Sequence, residues 1–162
     1  LSYNISDAFS ITVTDYFFPN HEIMNNNYFE YNDTLTSHVF EGMLSFAGTE
    51  KFPISMLLAV NFYGADARNI DGDLFYSTYV ELGYSGELNG TPFDVFLGLT
   101  PNKADEAKGE SGFYGNTAGV INLGLTAHKE IRISDGFKLP LHTSLIFNPQ
   151  AENVFLVMGL SL

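Results

Sequence analysis

Along most of this chain every second residue is apolar. Ile121, Leu123, Leu125 and Ala127 alternate with Asn122, Gly124, Thr126 and His128. Leu139, Leu141, Thr143, Leu145 and Phe147 run opposite His142 and Ser144, and Val154, Leu156, Met158, Leu160 and Leu162 run opposite Phe155, Val157, Gly159 and Ser161. A period of two with one greasy and one polar side predicts a β-strand whose two faces meet different surroundings. The turns Ile133-Ser134-Asp135-Gly136 and Asn148-Pro149-Gln150 separate these three strands,.

Upstream the same pattern predicts five more. Phe9, Ile11 and Val13 oppose Ser10, Thr12 and Thr14; Phe40, Gly42, Leu44 and Phe46 oppose Glu41, Met43 and Ser45. Ile54, Met56, Leu58, Val60 and Phe62 oppose Ser55, Leu57, Ala59 and Asn61. Tyr76, Thr78, Val80, Leu82 and Tyr84 oppose Tyr79, Glu81, Gly83 and Ser85, and Phe93, Val95, Leu97 and Leu99 oppose Asp94, Phe96 and Gly98. Leu1-Ser2-Tyr3 reads as a further strand end before a turn at Asn4-Ile5-Ser6-Asp7. No segment has a helical period. The expectation is an all-β protein of about eight strands, each of roughly ten residues, the length at which a tilted strand crosses a bilayer core.

Connections alternate in length, except that the last link, 148–153, is short where a long one would be due. Residues 19–35, 65–74 and 101–117 are long aperiodic loops, while 48–51, 88–90 and 133–136 are short turns. Outer-membrane barrels put short turns in the periplasm and long loops outside. Residues 1–162 are therefore read as one domain, an antiparallel up-and-down transmembrane β-barrel in the bacterial outer membrane, with its C-terminus in the periplasm. A soluble sandwich or barrel with a hydrophobic core shares the alternation, so the polar face has to decide between them. That face is Ser, Thr, Asn, Gly and Tyr with scattered acids, rather than the Lys and Glu of a surface bathed in bulk water. It suits a confined lumen lined by Thr12, Thr14, Glu41, Asn61, Glu81, Asp94, Asn122, Glu130, His142 and Ser144. Asp15 and Lys129 fall on the lipid side of the alternation, near strand ends where a charge costs little. Aromatic residues gather in two bands, among them Tyr16-Phe17-Phe18, Phe62-Tyr63, Phe113-Tyr114 and Phe147 toward the long loops and Phe9, Phe46, Phe52, Tyr84, Phe93 and Phe137 toward the short turns. These are the positions of interfacial girdles.

Composition narrows the partners. With 7 Lys and Arg against 19 Asp and Glu, the formal charge of -12 leaves no basic face for nucleic acid,. There is no cysteine, which removes disulfides and thiolate metal sites,. In the long loops Glu22, Glu30, Asp33, Asp66, Asp71, Asp73, Asp105, Glu106 and Glu110 outnumber Arg68, Lys103 and Lys108. The lumen adds Glu41, Glu81, Asp94 and Glu130 against Arg132, a field that attracts cations and repels anions,.

Candidate chemistry is sparse. His142 and Ser144 share one face of one strand, with Glu152 across the next turn, the residue types of a nucleophile, its base and an orienting acid,. Their side of the alternation points into the lumen, where an acyl chain does not readily arrive, so hydrogen-bonded lumen residues are the favoured reading. Asp66, Asn69, Asp71, Gly72 and Asp73 have the composition of a calcium loop. The register that makes Gly72 sixth puts Ala67 first and Thr78 twelfth, where acids are required,. A solvated acidic loop fits better. His21-Glu22 lacks the second histidine of a zinc protease helix, and His38 and His128, isolated in sequence, are read as loop or lumen histidines,. Gly109, Gly112 and Gly115 are loop glycines. No cofactor or metal is expected.

The blocks Thr14-Asp15-Tyr16-Phe17-Phe18-Pro19, Ser77-Thr78-Tyr79-Val80-Glu81-Leu82-Gly83-Tyr84 and Leu145-Ile146-Phe147-Asn148-Pro149-Gln150-Ala151 resemble those of porin-like outer-membrane proteins of Gram-negative bacteria, the Tor-type porins and their uncharacterised relatives. The resemblance spans nearly the whole chain. It implies porin-like passive diffusion, though the family has no well-defined substrate; the acidic lumen and loops add the expectation of small cationic or neutral solutes, and membrane lipid, lipopolysaccharide and other outer-membrane proteins are the expected partners. Such proteins carry further strands upstream and end on Phe, whereas this chain opens on a strand end and finishes on Leu162. The expectation is that Leu1 is a truncation point in a barrel of about ten to twelve strands, with an eight-stranded closure and residues 1–4 as a tail as the alternative. Two other functions stay open. One is a non-transporting structural or accessory barrel of an outer-membrane complex, favoured if Tyr79, Phe96, Phe155 and the loops plug the lumen. The other is a lipid A deacylase-like hydrolase using His142 and Ser144.

Overall fold

The computed structural model describes residues 1–19 and 27–160. His21, Glu22 and Leu162 lie outside the described residues. Nine antiparallel strands follow one another in a single up-and-down sheet: β1 (Ser2–Asn4), β2 (Phe9–Phe17), β3 (His38–Phe46), β4 (Ile54–Gly64), β5 (Thr78–Leu88), β6 (Thr91–Thr100), β7 (Gly119–Ser134), β8 (Phe137–Asn148) and β9 (Asn153–Leu160). The only helical turn among the described residues is a 3-10 turn at Glu106–Lys108. The alternation thus located eight strands, and the ninth is the strand end at Leu1-Ser2-Tyr3. That segment is no free tail. Ser2 pairs with Thr12 and Asn4 with Ser10, and the Val13 amide donates to the Leu1 carbonyl at 2.8 Å, so β1 occupies the outer edge of β2.

Strands β2 to β9 form where the sequence alternates, and the β5–β6 turn has the residues its geometry needs. Between β5 and β6, Asn89 (φ 52°) and Gly90 (φ 77°) are both left-handed, as a two-residue type I′ hairpin requires,. β7 is 16 residues long and runs well past Ala127, where its pairing with β6 ends. The β7–β8 hairpin therefore projects beyond its neighbours, with Glu130 opposite Pro140 and Arg132 opposite Lys138. Lys129 is mid-strand rather than near a strand end, yet it stands just past the last β6–β7 pair, Phe93 with Ala127. It is at the lip of the sheet.

Burial runs opposite to that of a soluble sheet. Among the described residues the buried hydrophobic side chains are Val39, Ala59, Ala104 and Ile121, while Thr36, His38, Glu41, Asn61, Asp66, Ser77, Thr100 and Ser144 are buried polar ones. Ile11, Val13, Leu44, Met56, Leu58, Leu123, Leu125, Leu145 and Leu156 are all exposed. Leu156 is 68 % accessible and Ser144 only 9 %. A single sheet can shelter one face only by curling onto it, and contacts across the hollow show that it does. From the β6–β7 loop, the Tyr114 hydroxyl donates to Glu41 on β3 at 3.1 Å, and Phe113 meets Phe18 with ring centroids 6.2 Å apart. The polar side is concave and the apolar side convex. The two edges, β1 and β9, are not paired with each other, so the sheet is curled but unclosed.

Candidate functional site

The concave face is a set of lateral rows fixed by strand register. Nearest the long loops, Thr14 lies opposite Glu41 and Glu41 opposite Asn61. Below it runs the row Ser10, Ser45, Leu57, Glu81, Gly98 and Asn122. Toward the short turns the row is Ser85, Asp94, Thr126 and Ser144. His128 and His142 face each other one step further, with ring centroids 6.4 Å apart.

Hydrogen bonds tie these rows together. Glu41 accepts from Tyr16 at 3.3 Å and from Tyr114 at 3.1 Å. Tyr79 donates to Glu81 at 2.5 Å. Asp66, from the β4–β5 loop, accepts from the Asn61 amide at 3.1 Å and from the Ser77 backbone N–H at 2.9 Å. Burial, and then the nearby Glu41 carboxylate, push the Tyr114 phenol well above its ordinary pKa, so it stays protonated as the donor of this bridge,. Asp94 accepts from Ser85 at 2.6 Å and lies 2.6 Å from His128 Nε2.

Of the sequence-predicted lumen residues, Thr12, Thr14, Glu41, Asn61, Glu81, Asp94, Asn122, His142 and Ser144 all lie on the sheltered face with partial or full burial. Glu130 has the same parity but sits on the projecting hairpin, solvent-exposed and paired with Lys138 at 2.6 Å. Arg132 pairs with Asp135 beside it. The hairpin charges cancel locally and add little to the field of the hollow.

The hydrolytic trio does not assemble. Ser144 Oγ is 2.8 Å from Thr126 Oγ1, and Glu152 lies at the other end of β8, beyond the Asn148 and Asn153 pair. Val157, opposite Ser144, is five residues from Glu152, or about 17 Å of strand,. His128 does have an acid, Asp94, but the serine on that acid is Ser85, which bonds the carboxylate and not the imidazole. A nucleophile needs its base within hydrogen-bond reach, and neither serine is given one by these bonds. In the 66–73 loop, Asn69 Oδ1 accepts the Asp71 and Asp73 amides, which folds the loop on itself. No group of three or more His, Asp or Glu side chains gathers as a metal site among the described residues.

His38 is neither a loop nor a lumen histidine. It opens β3 on the convex side, opposite Phe17, and is fully buried beneath residues 28–31. Its Nδ1 is 2.7 Å from Asp15 and its Nε2 is 2.6 Å from the Tyr28 carbonyl oxygen, while Tyr31 stacks on the ring at 4.6 Å. The Tyr63 hydroxyl holds the Tyr31 carbonyl at 2.6 Å. Asp15 is on the apolar side because His38 waits for it there.

Large concave side chains lie flat on the wall. A Cβ at Gly98 would strike the Tyr79 ring, one at Gly124 the Phe96 ring and one at Gly159 the His142 ring. Each ring leans over a glycine of the following strand, a close approach that only glycine permits. Tyr79 and Phe96 therefore line the hollow without crossing it. Phe155 lies on the same side of β9, half exposed beside the free edge. At the short-turn end a cavity of about 740 Å³ opens between Asp7, Ser10, Ser45, Ser55 and Glu81. At the long-loop end Tyr114 reaches across, and Gln150 donates to the Thr117 carbonyl at 2.7 Å to hold that loop over the mouth.

The chain matches no family model, no curated protein and no solved structure.

Proposed function

We propose that this chain forms the wall of an outer-membrane β-barrel with a wet, acidic lumen, through which small cationic or neutral solutes diffuse in the manner of a porin. The observation that carries the reading is the inverted burial: leucines and phenylalanines point out from a curled sheet while Glu41, Asn61 and Ser144 are sheltered inside it. In water that arrangement exposes the most costly surface the chain has; in hydrocarbon it is the favourable one. The resemblance to porin-like proteins points the same way.

Closure follows from strand direction. In an odd run of antiparallel strands β1 and β9 run the same way, so joining them directly would make a parallel seam. Antiparallel closure takes an odd number of further strands, hence a barrel of about ten or twelve. β1 already covers the edge of β2, which argues against eight.

A second reading, a barrel that does not transport, is favoured by one feature: the bridge from Tyr114 to Glu41 across the long-loop mouth. Planar-bilayer recordings separate the two. The protein is expected to give small currents whose reversal potential under a KCl gradient shows cation preference, and Tyr114→Ala is expected to raise the conductance. Anion preference would overturn the acidic-lumen reading. Silence from both forms would favour the accessory barrel.

A further inference from the structure

Two carboxylates on the lumen side of β3–β5 have no cationic partner. Glu41 is 6 % exposed and Asp66 7 %. No ion pair reaches either among the described residues. Their donors are neutral: two tyrosine hydroxyls for Glu41, an amide and a backbone N–H for Asp66. Asn61 stands between them, paired in register with Glu41 and bonded through its side chain to Asp66. Two buried negative charges held only by neutral dipoles lack a counter-charge.

A separate observation concerns Ser77. It is 1 % exposed, its carbonyl accepts the Asn61 N–H at 3.0 Å, and its own N–H is on Asp66. Its hydroxyl, on the concave side beside Asn61, is the one buried side-chain polar atom among the described residues with no hydrogen-bond partner. Native proteins rarely leave such a group unsatisfied without a water or an ion to meet it. Here it adjoins the uncompensated carboxylates.

We propose that Glu41, Asp66 and Ser77 form a binding site for a small monovalent cation just inside the long-loop mouth. All three offer oxygen, the ligand of hard cations. Two acids and the neutral oxygens beside them fall short of the roughly six to eight oxygens a calcium ion takes, and a single monovalent cation would offset one charge of the pair. The site deepens the porin reading by naming the element that would select cations, and it rests on the concave face being the wet one.

Sodium-23 relaxation of NaCl solutions, with the full chain folded in detergent micelles, tests the site without needing current. Excess relaxation is expected, displaced by added K⁺. Glu41→Gln and Asp66→Asn are each expected to weaken it about tenfold, the loss of one charge-assisted ligand. Ser77→Ala, which keeps every charge, is expected to weaken it about threefold, a smaller neutral contribution. Glu50→Gln, in the exposed β3–β4 turn, serves as the control for general counter-ion attraction and is expected to leave it unchanged. If Glu41→Gln and Asp66→Asn behave like Glu50→Gln, the proposal falls, even where cation-selective currents leave the porin reading standing. If those two variants lose sodium while no form conducts, the site stands and the porin reading falls.

Discussion

Replacing Leu125 by arginine is expected to destabilise the protein folded in phosphatidylcholine vesicles by about 2–4 kcal/mol, the cost of a cationic side chain on the outer wall near the middle of the bilayer. Leu125 is 49 % exposed, between Val95 of β6 and Leu145 of β8, and lies midway along the convex run of β7 from Val120 to Lys129. In water such an exposed site would accept arginine for about 0.5 kcal/mol or less. Urea titration of folding into vesicles distinguishes the two environments. The depth dependence sharpens the test: Ile133→Arg, on the hairpin beyond the lip, is expected to cost no more than about 1 kcal/mol. Equal and small effects at both positions would leave the bilayer out of the account.

Gly64→Ala is expected to cost about 3 kcal/mol, read as a fall in the urea midpoint of the same folding reaction. Gly64 ends β4 with φ at 92°, and a Cβ there would fall on the His38 carbonyl oxygen. That carbonyl accepts the Ala65 N–H at 2.8 Å, so β3 cannot simply move away. Next to it lies the register shift between Phe40 and Glu41. The residue thus positions both the His38 seat outside and the Glu41 row inside. Gly72→Ala supplies the comparison. Its φ is 88°, but nothing lies within 4 Å of a Cβ there, so only the backbone strain of about 1–2 kcal/mol is expected,. The difference between the two variants measures the close approach by itself.

The wall was legible in the sequence because each of β2 to β9 repeats its alternation several times, so that one misplaced residue does not change the parity. Val95 and Leu125 fall outside and Asp94 and Asn122 inside, as the spacing predicts. β1 was harder to read, since three residues carry too little period. The length of β7 was obscured because Lys129 interrupts the hydrophobic rhythm, whereas the backbone ladder to β8 continues regardless of side chain. What brings Tyr114 and Asp66 to the hollow lies in loops, which have no period to read. Asp15 and His38 are the most instructive pair. One looked like a charge on the wrong side and the other like an isolated histidine, separated by 23 positions. Each explains the other, but only once the register of β2 against β3 is known, and the long loop between them conceals that register from the sequence.

The rings laid over Gly98, Gly124 and Gly159 bear on how wide a conduit the proposed barrel would be. Strand number fixes the radius of the backbone cylinder, but the usable bore is what remains after side chains are subtracted. In the barrel proposed above, aromatic bulk folded sideways over the thinnest spots of the neighbouring ribbon would leave more of the bore open than the phenylalanine and tyrosine content suggests. A methyl group at any of those three glycines would meet a ring, and in such a barrel the displaced ring would narrow the passage without altering a single charge.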